Sequence, residues 1–148
     1  MKILFLCTGN SCRSQMAEGW ARHLKKGEVE ACSAGIKRHG MNPHAVRVME
    51  EAGVDMSGHT SKTLDELPDQ NFEVVVTLCG HANETCPFFP GQVRRVHRGF
   101  DDPPSLCAEM TNEDEILAVY RRVRDEIRDF VAGLPQTLDA DQAGTDGL

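Results

Sequence analysis

Apolar and polar positions follow two rhythms along the chain. Residues 3–6 form a short unbroken apolar run; after a polar stretch, Met16, Ala17, Trp20, Ala21 and Leu24 recur at helical spacing. This predicts a buried strand, a loop, and a helix capped by Ser14. Val29, Ala31 and Ser33 alternate with Glu30, Cys32 and Ala34, which predicts a second strand closing at Gly35. Asn42-Pro43 opens another helix, with an apolar face of Ala45, Val46, Met49 and Ala52 and a stop at Gly53. Residues 74–78 are uncharged and β-branched, the clearest buried strand, and residues 93–97 form a weaker one. A last helix starts near Asn112, buries Ile116, Leu117, Tyr120, Val123, Ile127, Phe130 and Val131, and ends at Gly133-Leu134-Pro135.

Strands alternating with helices imply parallel pairing, because a parallel connection needs a crossover and the helices supply it. The expected fold is a single α/β domain over residues 1–134, a doubly wound parallel four-stranded sheet with helices on both faces. Residues 135–148 lack periodicity and carry three acids and no base, so they are expected to form a disordered acidic tail.

Composition narrows the function. The chain has 148 residues and a formal charge of −7, which argues against general nucleic-acid or anionic-membrane binding. No apolar run approaches the roughly 20 residues that span a bilayer. Residues 3–6 are too few for a secretory signal, so the expectation is a soluble, cytoplasmic protein and a monomer. In a reducing compartment the six cysteines are reactive, metal-bound or buried rather than structural bridges.

Residues 7–14, Cys-Thr-Gly-Asn-Ser-Cys-Arg-Ser, lie between the first strand and the first helix, where doubly wound sheets bind ligands. The helix end offers free N–H groups and the positive end of its dipole, a site for a tetrahedral oxyanion. Gly9 suits a concave loop, and Arg13 can bridge two anion oxygens with its planar fork. Cys7 would sit under the anion, where the same groups favour thiolate, and Ser14 is placed to donate to it. The candidate binding set is therefore Thr8, Gly9, Asn10, Ser11, Cys12, Arg13 and Ser14.

Cys79 follows the strand at 74–78 and falls at the same sheet edge, with Cys86 seven residues later. In a helix the two would share a face roughly 10 Å apart along the axis. A disulfide needs Cα atoms within about 7 Å, so closing it requires the short polar segment to unwind. Two buried thiols are the plainer reading. A zinc site with His81 or His97 is disfavoured by the wide spacing and the lack of a compact second pair. Asp101 and Asp102 reach the same edge before Pro103, where a carboxyl group can protonate a departing oxygen.

Residues 7–18, CTGNSCRSQMAE, resemble the anion loop of the low-molecular-weight tyrosine phosphatase fold, and more closely that of the thioredoxin-coupled arsenate reductases built on it. The resemblance runs on through Ser33-Ala34-Gly35, Gly58-His59-Thr60-Ser61, residues 75–79, Gly99-Phe100-Asp101-Asp102-Pro103 and residues 122–127. It implies arsenate as substrate, a relay of Cys7, Cys79 and Cys86, Asp102 as the acid, and reduction of the final disulfide by thioredoxin or a similar dithiol protein, with no cofactor. Some relatives hold a monovalent cation at positions matching Asn10, Glu18, Ser33 and Thr60 and at an acid where this chain has Lys62, which speaks against the cation here. Two rivals stay open: a tyrosine phosphatase using Cys7, Arg13 and Asp102 alone, and a non-catalytic redox or oxyanion sensor. Ser11, Pro104 and a single Tyr argue against a phosphotyrosine pocket.

Overall fold

A computed structural model describes residues 1–68, 71–85 and 93–139. Strand β1 (Lys2–Cys7) leads into helix α1 (Arg13–Leu24), then β2 (Glu30–Gly35), α2 (Pro43–Glu51), a 3-10 turn (Leu64–Glu66), β3 (Val74–Thr77), α3 (Gly80–Thr85), β4 (Arg94–His97), α4 (Pro103–Leu106) and α5 (Glu113–Ala132). The four strands pair in parallel in the order β2-β1-β3-β4, so β1 and β3 lie side by side at the centre. This is the expected single-domain, doubly wound α/β sheet.

The central strands read as continuous apolar runs because both faces are covered. Ile3 through Leu6 are fully buried, and so are Val75 and Val76. Met16, Met49, Val123 and Ile127 from the helices complete the same core. Among the described residues no helix is long and apolar enough to cross a membrane.

Several local expectations change. Cys12, not Ser14, stands at the N-cap of α1, and Ser14 lies inside the helix, fully buried. Asn42 caps α2 as expected, its side chain accepting from the N–H groups of His44 and Ala45. The buried face of α2 uses Val48 rather than Val46, because the helix packs against α5. Leu24 ends its helix with its side chain exposed, and Cys32 is half-buried on the outer strand β2.

The tail boundary also moves. Residues 136–139 form a helical turn, Leu138 is fully buried, and the Thr137 hydroxyl donates to the Phe130 carbonyl at 2.7 Å. Burying one such leucine is worth about 1.5–3 kcal/mol, enough to hold this stretch on the body despite its polar neighbours. Residues 140–148 lie outside the described residues.

Candidate active site

Residues 7–14 close into a cradle because the neighbouring chain takes up their carbonyls. Ile36, Lys37, His39 and Asn42 donate their N–H groups to the carbonyls of Cys7, Thr8, Gly9 and Ser11, at 3.2, 2.9, 3.0 and 3.0 Å. With the carbonyls turned outward, the N–H groups of Gly9, Asn10, Ser11 and Cys12 have no hydrogen-bond partner among the described residues. Unpaired backbone donors at a helix start are what a tetrahedral oxyanion requires.

The loop's conformational burden falls on Asn10, not Gly9. Asn10 adopts φ 49°, which Asn tolerates better than most residues, whereas Gly9 has no positive φ. Fully buried, Asn10 acts as the loop's internal scaffold: its amide donates to Ser14 Oγ and Ser33 Oγ, both at 2.9 Å. Its side-chain oxygen accepts from Gln15 Nε2 at 2.9 Å and the Lys62 N–H at 2.8 Å. Gly35 completes the fit, since a β-carbon there would stand 2.4 Å from the Lys37 carbonyl and 2.8 Å from the Asn10 nitrogen.

Behind this scaffold, Ser33 Oγ donates to Glu18 at 2.6 Å, and Arg22 pairs with the other Glu18 oxygen at 2.8 Å. His59 meets Gln15 Oε1 at 3.0 Å, and burial holds its imidazole below the usual range. The Thr60 carbonyl accepts from Lys62 Nζ at 2.8 Å and from Gln15 Nε2 at 3.0 Å. Ser61 Oγ donates to the Gly9 carbonyl at 3.0 Å.

In front of the loop lies a cavity of about 340 Å³, lined by Cys7, Thr8, Gly9, Asn10, Ser11, Cys12, Arg13, His39, Asn42, Asp102 and Pro104. Arg13 is anchored at both ends of its fork, donating to the Phe100 carbonyl at 2.9 Å and facing Asp102 at 3.5 Å. Asp102 starts α4, where it also accepts from Ser105 Oγ at 2.7 Å. The larger groove beside Met1 and Lys26, near 600 Å³, is remote from this chemistry.

Cys7 is buried on the cavity floor, with the Cys79 thiol beside it. Leu6 pairs with Thr77 across β1 and β3, and this register brings the two cysteines together at the carboxyl edge of the sheet. The two thiols influence each other. The neighbouring Cys79, reinforced by burial, pushes the Cys7 thiol far up, against the thiolate expected there. Cys7 in turn lowers Cys79 to about 5, helped by the Thr8 hydroxyl at 3.1 Å, the Ala82 N–H at 3.4 Å and the Arg13 charge. The negative charge of the pair is therefore favoured on Cys79. Cys12 differs, since burial raises it to about 12 and leaves it inert.

The fold thus gathers Cys7, Arg13, Asp102 and the loop from Thr8 to Cys12 around one cavity, with Cys79 beside Cys7 but not in the lining. Ser14 stays behind the loop, bound to Asn10, rather than facing the cavity. Cys86 lies outside the described residues; α3 covers most of the chain leading to it. Sequence reasoning missed the Phe100 carbonyl, Gln15 and the 36–42 segment as builders of the site. Their contributions are backbone groups or long-range contacts that no local pattern marks.

The chain matches the family described as low molecular weight phosphotyrosine protein phosphatase over residues 2–143. It is 56% identical to the arsenate reductase of Halalkalibacterium halodurans and 52% identical to that of Bacillus subtilis, each over 84% of this chain and 88% of the relative. Among solved structures, an arsenate reductase in the oxidised state superposes with a TM-score of 0.71 at 30% identity, covering 93% of this chain and 98% of the other. The low molecular weight protein tyrosine phosphatase of T. tengcongensis gives 0.68 at 27%, covering 93% and 99%. Fold, anion loop and relatives agree: the chain belongs to the low molecular weight phosphotyrosine protein phosphatase family, and it is similar over most of its length to arsenate reductases in that family.

Proposed function

We propose that the protein reduces arsenate to arsenite by a three-cysteine relay. The observation that carries this reading is the second thiol at the anion loop: Cys79 stands beside Cys7, its sulfur 3.1 Å from the Thr8 hydroxyl. A phosphatase needs one nucleophile under its anion loop; a second thiol held beside the first is what a reductase needs. The cavity wall favours the same reading, because among the described residues its lining has no Phe, Tyr or Trp to sandwich a phosphotyrosine ring.

In the first step arsenate enters with its oxygens on the loop N–H groups and Arg13. Cys7 sulfur bonds to arsenic, an As–O bond breaks, and the thiol proton ends on the departing oxygen as water. Asp102, across the cavity from Cys7, relays that proton. In the second step the Cys79 thiolate attacks Cys7 sulfur. The S–As bond breaks toward arsenic, which takes the electron pair and leaves as arsenite, while the two sulfurs are oxidised to a disulfide.

Cys86 then attacks Cys79 and frees Cys7. The Cys79–Cys86 bridge is passed by thiol exchange to thioredoxin or a similar dithiol protein. Asn10 contributes through its N–H, its side chain being committed to the loop. The cytoplasm, where thiols are kept reduced, is the fitting compartment, and one copy of the chain suffices for the relay.

The residues matching the cation set of some relatives do not suit a cation here. The Lys62 ammonium occupies the Thr60 carbonyl at 2.8 Å, and Asn10 presents its amide nitrogen to Ser33. Lys62 supplies the positive charge instead. The decisive measurement is arsenate-dependent NADPH consumption coupled through thioredoxin and its reductase, beside hydrolysis of a phosphotyrosine analogue. Rapid consumption with slow hydrolysis is expected; the reverse would identify a phosphatase, and neither would leave the sensor.

A further inference from the structure

The cavity is short of positive charge for the ligand just proposed. Among the described residues Arg13 is the one permanent cation in the lining, and it is engaged by Asp102 at 3.5 Å and by the Phe100 carbonyl at 2.9 Å. Among the described residues one other lining side chain offers a ring N–H donor, and that is His39.

His39 is built onto the loop rather than merely near it. Its N–H donates to the Gly9 carbonyl at 3.0 Å. The ring rests directly over Gly9, so that a β-carbon placed there would stand 2.2 Å from His39 Nδ1 and 2.6 Å from Cγ. Gly9 does not use left-handed backbone angles, so its missing side chain serves as the seat of this imidazole. The side chain is exposed, and among the described residues its ring nitrogens have no hydrogen-bond partner. A donor-bearing ring with no partner among the described residues, seated on a loop glycine of an oxyanion cavity, is arranged to receive the oxyanion.

We propose that His39 is a second oxyanion-binding side chain, donating a ring N–H to bound arsenate across the loop from Arg13. The proposal rests on the arsenate reading above and adds to it a binding residue seated by Gly9. A charge-assisted hydrogen bond of this kind sets affinity more than the chemical step, because it is made before and after the As–S bond forms.

Calorimetric titration of inorganic arsenate into the Cys7→Ser chain, with and without His39→Gln, tests it. The second substitution is expected to weaken binding about tenfold. In the chain with Cys7 intact, His39→Gln should raise KM by a similar factor while kcat stays within about twofold. Gly9→Ala displaces the ring and should cost as much as His39→Ala, with the double variant no worse than either. Unchanged affinity in the His39→Gln chain, or additive losses in the double variant, would overturn the role of His39 and leave the arsenate reading intact. Failure of the Cys7→Ser chain to bind arsenate, together with no turnover by the native chain, would overturn both.

Discussion

The two cysteines of the site lie at the carboxyl ends of neighbouring strands yet belong to opposite kinds of structure. The loop carrying Cys7 is fixed: its carbonyls are taken by residues 36–42, Asn10 makes four side-chain hydrogen bonds, and Gly35 admits its backbone at close range. Cys79 instead leads into α3, a helix of six residues that starts at Gly80 and is fastened to the thiolate through the Ala82 N–H. The difference suits two tasks. Stabilising an oxyanion needs donors that do not reorganise, whereas passing a disulfide toward Cys86 needs a segment that unwinds at small cost.

Removing the fixed nucleophile has the largest expected effect. Cys7→Ser should lower arsenate turnover by at least about 10³-fold while urea unfolding shows little change, since the two side chains are nearly isosteric. Cys86→Ser tests the other side of the comparison: it should release one arsenite per chain and stop, as quenched-flow counting of arsenite would show. Sustained turnover with thioredoxin as sole reductant would remove the moving half of the mechanism. Asn10→Ala sharpens the claim that the loop is held from within. It strands Ser14, Ser33, Gln15 and the Lys62 N–H, and should cost about 2–4 kcal/mol in denaturant unfolding.

Two smaller effects follow. Cys79 is lowered to about 5, so thiolate absorbance near 240 nm should appear as pH rises through that value and be complete by neutrality. The sign follows from the direction of the shift: a depressed acid is charged above its lowered pKa and protonated below it. Cys79→Ser should abolish this step, and Cys7→Ala should move it upward by removing its largest cause. Replacing sodium with potassium at equal ionic strength should leave the melting temperature unchanged, because Lys62 already occupies the Thr60 carbonyl; a rise of several degrees would return the cation to the site.

Much of this was legible in the chain itself. The run at 74–78 and the helical spacing from Leu117 to Val131 reported their elements because burial selects apolar side chains at a fixed period. The pattern from Cys7 to Arg13 marked the anion loop because its chemistry needs those side chains at that spacing. Ser14 was misread as a cap, since a serine before an apolar run has the same signature whether it caps the helix or ties down a loop residue. Leu138 was missed because a single apolar side chain in a polar stretch has no period to reveal it.

By itself, then, the sequence determined the alternating elements, the parallel class of the sheet and the candidate nucleophile with its arginine, all of them consequences of local spacing. Only the tertiary structure decided that Cys79 reaches Cys7, that Phe100 and Asp102 anchor Arg13, and that His39 rests on Gly9. Those contacts join residues 30 to 89 positions apart, and they depend on sheet register and on where backbone carbonyls point. Neither leaves a mark on the pattern of side chains along one stretch of chain.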